Sequence, residues 1–143
     1  MVFYGIIPLC FTYYVQAGEF TLTAFMLSLA MGFLSTNILI VNNIRDVEQD
    51  APAGKRTTIV MFGCNFGTTL YLINSFLAVA AAWPLYLYRS RDILLLFLFF
   101  LLLELFAWQD VRRLQGSALN RLLGQTARNV LIYALLLVSI LVF

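Results

Sequence analysis

The chain has 143 residues, of which 62% are hydrophobic and 11% are charged, against roughly 25% charged residues in a typical soluble domain. The mean hydropathy is +0.90, which indicates a membrane protein. A formal net charge of +2, with bases scattered between apolar segments, argues against a nucleic-acid partner. The absence of histidine and the two isolated cysteines argue against structural zinc, haem and a disulfide scaffold. Any bound metal is therefore expected to have oxygen ligands.

Five apolar segments predict an all-α fold: a polytopic bundle of about five transmembrane helices that forms a single membrane domain over residues 1–143. The first segment is shorter than the roughly 20 residues that a spanning helix needs. We interpret it as a helix whose beginning is missing or which starts close to the chain terminus. The predicted spans cover residues 1–16, 20–41, 63–88, 93–108 and 129–143.

The fourth segment is interrupted by one acid, Glu104. It lies about one turn from Trp108 and near Asp110, so we expect an interfacial or arginine-paired structural role in preference to a catalytic one. Residues 109–128 then interleave leucines with arginines. This pattern predicts a cytoplasmic loop that contains a short amphipathic helix at the membrane surface.

The distribution of basic residues predicts the orientation. Residues 42–57 and 109–128 hold seven of the nine bases and lie on the same side of the membrane if there are five spans, whereas Arg89 and Arg91 lie on the other side. The positive-inside rule therefore places residues 42–57 in the cytoplasm, the N-terminus inside and the C-terminus outside. We expect a multi-pass protein of the cell's inner, cytoplasmic membrane.

The densest polar segment is NNIRDVEQDAPAGKRT, residues 42–57. Asn42, Asp46 and Asp50 are spaced i, i+4 and i+8, which on a helix aligns the three side chains in one stripe. Mg²⁺ typically takes one or two protein carboxylates and completes its octahedron with water and substrate phosphate oxygens. The stripe therefore predicts a site that holds a phosphorylated substrate through a magnesium ion.

Basic residues accompany the stripe. Arg45 precedes Asp46, and Lys55 and Arg56 follow residues 51–54, whose Ala-Pro-Ala-Gly sequence is expected to end any helix. Three positive charges suit a diphosphate, which departs as a polyanion. The alternative is a solvated loop with salt bridges, but the position of the stripe between two membrane spans favours the metal–diphosphate site.

These sixteen residues resemble the second aspartate-rich motif of the UbiA superfamily of intramembrane prenyltransferases, most closely its menaquinone-pathway branch. The segments YYVQAGEF and LNRLLGQTARNVLIYALLLV also resemble the C-terminal half of that family. The resemblance implies nine transmembrane helices with two facing aspartate-rich motifs that bind magnesium and an isoprenoid diphosphate. The allylic carbocation formed from the diphosphate then attacks an aromatic ring.

For this chain the resemblance implies Mg²⁺-dependent transfer of a polyprenyl group from polyprenyl diphosphate to 1,4-dihydroxy-2-naphthoate, giving demethylmenaquinone. By motif, the metal ligands would be Asn42, Asp46 and Asp50, and the two aspartates would be catalytic. The diphosphate would contact Asn43, Arg45, Lys55 and Arg56.

The sequence departs from the family pattern because it has one aspartate-rich cluster and about five spans, which correspond to the fifth to ninth helices. We therefore expect a C-terminal half that is inactive without the missing N-terminal half. Two alternatives stay open. One is a prenyltransferase with another acceptor (4-hydroxybenzoate, homogentisate) or a phytyl or geranylgeranyl donor. The other is a non-catalytic membrane protein that binds a cation or a partner, or that dimerises.

Overall fold

The computed structural model describes residues 1–88 and 92–142, and this part of the chain is helical without strands. The all-α prediction is confirmed. A 3₁₀ turn at Val2–Tyr4 precedes the first α-helix, and a second at Gly116–Ala118 precedes the last. The helices are α1 (Ile6–Ala17), α2 (Leu22–Arg45), α3 (Val47–Asp50), α4 (Thr58–Phe62), α5 (Cys64–Ala81), α6 (Trp83–Tyr88), α7 (Asp92–Arg113) and α8 (Leu119–Val142).

Four helical segments of the described part are long and apolar enough to cross a membrane, and α1 is a fifth, shorter apolar helix of 12 residues. The predicted polytopic bundle is thereby confirmed. Arg89 and Arg91, which the topology argument placed on the less basic side, lie outside the described residues. The four long segments are Leu22–Arg45, Cys64–Leu87, Ile93–Arg113 and Gly116–Val142.

Helix α2 is central to the bundle and packs against α1, α5 and α8. Its N-terminus is capped by Thr21, whose Oγ1 accepts a hydrogen bond from the Ala24 N–H at 3.1 Å. Two glycines, Gly5 and Gly32, let the chain around the start of α1 approach the backbone of α2, since a Cβ on Gly5 would collide with Gly32 Cα. This approach brings α1 alongside the helix that leads into the polar segment.

Two apolar clusters form the core, one towards each end of the bundle. The first is built around Tyr133, whose ring lies 5.6 Å from Phe97 and 4.9 Å from Phe100 between centroids and whose hydroxyl donates to the Ala78 carbonyl at 2.6 Å. The second cluster adjoins residues 42–57 and fixes the end of α2 against α5, α7 and α8. Its buried members are Ile40, Val41, Ile44, Ile59, Tyr71, Ala107, Val111, Leu119 and Leu122.

A buried polar layer lies between the two clusters, and Glu104 is its centre. One oxygen of this carboxyl, Oε1, accepts a hydrogen bond from Asn129 Nδ2 at 2.9 Å, and the other, Oε2, is hydrogen-bonded to Ser75 Oγ at 2.7 Å. Asn37 of α2 joins the layer through a 3.1 Å bond from its Nδ2 to Ser75 Oγ. The side chains link α2, α5, α7 and α8 in one network.

The expectation that Glu104 is interfacial or arginine-paired is wrong, because the residue is 2% exposed and its partners are the neutral side chains Ser75 and Asn129. Polar groups on the facing helices satisfy its oxygens inside the bundle, which removes the need for the boundary. Those partners lie 29 and 25 residues away along the chain, so the spacing around Trp108 could not indicate them.

The predicted surface helix within residues 109–128 is also wrong. Helix α7 continues to Arg113 and α8 begins at Leu119, so the connection is residues 114–118. Leu119 and Leu122 are buried in the core. The mixed pattern of leucines and arginines therefore belongs to two long helices, whose apolar faces pack inward while the arginines are exposed.

Candidate functional site

The predicted stripe begins at the C-terminal end of α2. The helix ends at Arg45, but the backbone keeps helical hydrogen bonds across the break, with the Asp46 N–H donating to the Asn42 carbonyl at 3.0 Å and the Asp50 N–H to the Asp46 carbonyl at 2.8 Å. Asn42 Nδ2 donates to Asp46 Oδ2 at 3.2 Å. The i, i+4 spacing thus produces a side-chain contact between the first two residues, although they and Asp50 are distributed over α2 and α3 and not over one regular helix.

Arg45 holds the Asp46 carboxylate in a two-point interaction. Its Nε donates to Oδ1 at 2.6 Å and its Nη2 to Oδ2 at 2.9 Å, while Nη2 also donates to Asn42 Oδ1 at 2.8 Å. This hydrogen bonding from Arg45 lowers the pKa of Asp46 below its ordinary value. Asp46 therefore stays a carboxylate, the form that a metal ion or an electrostatic role requires.

Asn120, near the start of α8, is a further member of the cluster that the sequence analysis missed. Its Oδ1 accepts a hydrogen bond from Arg45 Nη1 at 2.9 Å. The two residues are 75 positions apart, and an asparagine among leucines carries no local signal of such a contact. Through it, α8 braces the arginine that holds Asp46.

Asp50 is directed towards a different partner. Helix α3 ends at this residue and the chain turns through residues 51–54, with Gly54 at φ 72°, as the Ala-Pro-Ala-Gly sequence predicted. The turn returns Lys55 to the helix end, where its Nζ donates to Asp50 Oδ1 at 2.6 Å. The Asp50 side chain is 8% exposed and that of Lys55 is 64% exposed. The contact with Asp50 raises the pKa of Lys55.

The remaining predicted site residues stand apart from these contacts. Asn43 is half-buried and Arg56 is exposed, and neither forms a side-chain hydrogen bond or ion pair within residues 1–88 and 92–142. The structure thus brings together Asn42, Arg45 and Asp46 as one cluster and Asp50 with Lys55 as a neighbouring pair.

The donor chemistry of this segment fits a hard cation, since it consists of one amide oxygen and two carboxylates. The carboxylates are at present held by Arg45 and Lys55. Among the described residues no group of three or more His, Cys, Asp or Glu side chains comes together. A magnesium ion bound to Asn42, Asp46 and Asp50 would therefore need further oxygens from water, from substrate or from another part of the protein.

An apolar groove of about 320 Å³ lies between α1, α2 and α8, beside the first half of α2. Ser28 of the groove and Asn42 of the cluster are fourteen residues apart on α2, which is about 21 Å of helix. Met31 is the groove residue of α2 nearest to the cluster in sequence, eleven residues before Asn42. The groove is lined by Leu9, Thr12, Tyr13, Gln16, Ala24, Leu27, Ser28, Met31, Ala134, Leu137, Val138 and Leu141.

Known proteins are similar to this chain in sequence. The UbiA prenyltransferase family matches residues 1–131. Three curated relatives called 1,4-dihydroxy-2-naphthoate octaprenyltransferase match shorter stretches. The Haemophilus influenzae protein is 37% identical over 81 residues, 57% of this chain and 26% of that protein. The Mycobacterium leprae protein is 30% identical over 90 residues, 57% of this chain and 31% of the relative.

The Escherichia coli protein is 33% identical over 63 residues, which are 44% of this chain and 20% of that protein. The chain thus aligns with about a quarter of the length of the curated relatives it matches. No solved structure matches it significantly. Since the family match extends over most of the sequence, the chain belongs to the UbiA prenyltransferase family.

Proposed function

We propose that this chain supplies the diphosphate-binding half-site of an intramembrane enzyme that transfers a polyprenyl group from polyprenyl diphosphate to 1,4-dihydroxy-2-naphthoate, giving demethylmenaquinone. The observation that carries the proposal is the Asn42–Arg45–Asp46 cluster at the end of a helix that is long enough to cross a membrane. An apolar groove lies between α1, α2 and α8 beside the first half of the same helix. A donor with a long hydrocarbon tail and an anionic head needs a polar site for the head and apolar surface for the tail. The acceptor is taken from the names of the relatives.

The residues of the half-site divide between anionic oxygens and cationic donors. Asp46 and Asp50 provide carboxylates for a magnesium ion, which when bound neutralises diphosphate charge and so assists its departure. Arg45 and Lys55 hold those carboxylates in the free protein. When a diphosphate enters, both side chains can turn their N–H groups to the phosphate oxygens, and Arg56, which is exposed, can join them. Asn43 adds a neutral amide donor beside the cluster.

The half-site is incomplete by the family pattern, because the chain has one aspartate-rich cluster where the resemblance implies two that face each other. We propose that the opposing ligands come from the part of the enzyme that precedes this chain, and that the chain alone does not transfer prenyl groups. The Arg45–Asn120 bond brings residues 42–57 and the start of α8 to the same end of the bundle. This supports the predicted orientation, in which that end faces the cytoplasm from the inner membrane, with the N-terminus inside and the C-terminus outside.

The first test of the proposal measures binding of a prenyl diphosphate and does not require catalysis. The chain in lipid nanodiscs is titrated with geranylgeranyl diphosphate in the presence and absence of Mg²⁺. We expect saturable binding that depends on Mg²⁺ and weakens by about tenfold or more in Asp46→Asn, since hydrogen-bonded and metal-bound charges are each worth more than 1 kcal/mol. Asp110→Asn removes one acid from α7, outside the cluster, and should bind as the unaltered chain does. Binding that does not depend on Mg²⁺, or an equal loss of affinity in Asp46→Asn and Asp110→Asn, would contradict the proposal.

Activity separates the half-site from a complete enzyme. The isolated chain is assayed for prenylation of 1,4-dihydroxy-2-naphthoate, and then the same chain is fused behind the N-terminal part of the Escherichia coli relative. We expect no product from the chain alone and product from the fusion. Turnover by the isolated chain at the rate of the fusion would show that the half-site interpretation is wrong. If the fusion prenylates 4-hydroxybenzoate and not the naphthoate, the proposed acceptor is wrong and 4-hydroxybenzoate takes its place.

A further inference from the structure

A further cleft, polar and of about 310 Å³, lies at the same end of the bundle as the cluster. Ile44 and Glu48 line it, whereas Asn42, Asp46 and Asp50 do not. Arg45 borders both the cleft and the metal–diphosphate cluster. The lining residues are Ile44, Arg45, Val47, Glu48, Cys64, Asn65, Thr68, Val111, Arg112, Leu114, Gln115 and Gly116.

Arg112, in the last turn of α7, is the principal cation of this cleft. Its guanidinium carbon lies 4.8 Å from the centre of the Trp108 ring, and the Trp108 indole N–H donates to the Thr68 carbonyl at 2.9 Å. The ring is thus fixed to α5 and in turn positions the guanidinium by a cation–π contact. Within the described residues Arg112 forms no hydrogen bond or ion pair, so its N–H donors are available to a ligand.

The start of α5 adds donors to the same cleft. Gly63, at φ 85°, precedes the helix, and within residues 1–88 and 92–142 no side chain caps the first backbone N–H groups at Cys64 and Asn65. Such groups favour an anion. The charged residues that line the cleft are Arg112, the exposed Glu48, and Arg45, whose charge is paired with Asp46. Arg112 is the cation of this lining that has no ionic partner among the described residues.

The apolar part of the lining identifies the kind of anion. Ile44, Val47, Val111 and Leu114 lie beside the arginines, at the end of helices that are long enough to cross a membrane. Basic pockets between transmembrane helices at the cytoplasmic surface bind phospholipid head groups. A phosphate ester with an attached apolar moiety satisfies both parts of the cleft.

We propose that this cleft is a phosphate-binding site, separate from the metal–diphosphate half-site, that takes the head-group phosphate of a membrane phospholipid. Arg112 contacts the phosphate oxygens, the start of α5 and Asn65 contribute N–H donors, and the apolar residues contact the glycerol portion. A free phosphate ion has the same anionic chemistry but uses none of the apolar lining. The site does not depend on prenyl transfer, and its test does not require an active enzyme.

Trp108 provides the readout. In a Trp83→Phe background it is the one tryptophan that remains, and it contacts Arg112. The detergent-purified protein in phosphate-free buffer is titrated separately with short-chain phosphatidylglycerol, with short-chain phosphatidylcholine and with inorganic phosphate. We expect a saturable change in Trp108 fluorescence with phosphatidylglycerol. Arg112→Gln should raise its apparent Kd by about tenfold, as for the loss of one charge-assisted hydrogen-bonded pair.

Two further variants keep the result interpretable. Arg113→Gln removes the same charge from the adjacent residue, which does not line the cleft, and should leave the apparent Kd unchanged. Asn65→Asp introduces a carboxylate from α5 without altering the contact between Arg112 and Trp108, and should weaken binding as Arg112→Gln does. Native mass spectrometry of retained lipid repeats the comparison without fluorescence.

The titrations distinguish the sources of phosphate. Saturation by the lipids but not by inorganic phosphate supports the phospholipid. If inorganic phosphate saturates the site and the lipids bind no more tightly than phosphate does, the phosphate site stands but its assignment to a phospholipid is overturned. No saturable response to any of the three, or equal effects of Arg112→Gln and Arg113→Gln, overturns the site itself.

Discussion

The guanidinium of Arg45 and the carboxylate of Asp46, adjacent in the sequence, form a two-point pair with donor–acceptor distances of 2.6 Å and 2.9 Å. Side chains of neighbouring helical residues normally point about 100° apart. They meet here because α2 ends at Arg45 and Asp46 lies outside the regular helix. The helix end therefore creates the pair, and the pair keeps Asp46 ionised in the free protein.

Arg45→Gln should move the acid limit of metal binding to higher pH. The hydrogen bond from Arg45 lowers the pKa of Asp46, so the carboxylate, and any binding that needs it, persists above that lowered pKa and is lost as the pH falls through it. Without Arg45 the pKa returns towards the ordinary value of about 3.9, and the loss begins at a higher pH. Mn²⁺ binding followed by electron paramagnetic resonance from about pH 3 to pH 7 measures the shift.

Arg121→Gln is the matched control for this experiment, because Arg121 is an exposed arginine of α8 without a contact to Asp46. Its acid limit should coincide with that of the unaltered chain. A common shift in both variants would assign the effect to net charge and not to the Arg45–Asp46 pair.

Lys55→Gln is expected to separate metal binding from diphosphate binding. Lys55 Nζ holds the nearly buried Asp50 at 2.6 Å, and removing the ammonium releases that carboxylate to a cation while it takes one positive charge from the diphosphate. Affinity for Mn²⁺ alone should be retained or rise, whereas affinity for Mg²⁺–diphosphate should fall about threefold to tenfold. Parallel titrations measure the two constants, and a fall in both would place Lys55 in a structural role.

Some of this site follows from local sequence. The i, i+4 spacing of Asn42 and Asp46 predicted their proximity, which the 3.2 Å hydrogen bond confirms, and residues 51–54 end the helix as predicted. Both depend on backbone geometry over a few residues. The contact of Arg45 with Asn120 spans 75 positions and depends on how α8 packs against α2, which no local pattern specifies.

The same limit explains the error at Glu104. A single acid in an apolar segment has two favourable solutions, the membrane boundary or polar partners inside the bundle, and its neighbours in sequence do not distinguish them. The hydrogen bonds from Ser75 and Asn129 show that Glu104 takes the second solution, inside the bundle. Neither residue stands in a sequence pattern that predicts this contact. Length and apolarity predicted the existence of the long helices, since those properties belong to each segment separately.

Glu104→Leu should destabilise the bundle by about 1–3 kcal/mol, because it leaves the buried Asn129 amide without its acceptor and Ser75 with the Tyr71 carbonyl alone. Glu104→Gln should cost less, since one amide oxygen still accepts from Asn129 and the amide N–H can donate to Ser75. Unfolding in mixed micelles with increasing SDS measures the difference. Ser139→Ala removes an exposed hydroxyl that is hydrogen-bonded to the Leu136 carbonyl of its own helix, and it should change the stability little. An equal loss of stability in Ser139→Ala would show that the Glu104 hydrogen bonds do not stabilise the bundle specifically.

Gly5→Ala and Gly124→Ala are expected to have opposite effects on stability. A Cβ at Gly5 meets the Gly32 Cα and the Ser28 carbonyl oxygen, and backbone atoms cannot rotate away as a side-chain end can. The segment leading into α1 must therefore move off α2, at a cost of about 1–3 kcal/mol by the usual scale of overpacking. At Gly124, on the exposed side of α8, a Cβ meets no atom within 4 Å, so alanine should stabilise the helix by up to about 1 kcal/mol. Thermal unfolding in detergent measures both changes. Equal shifts in melting temperature would mean that helix propensity determines the stability of both variants, and would contradict the role of the Gly5 contact. A lower melting temperature in Gly5→Ala alone would show that the close approach of Gly5 to α2 stabilises the protein.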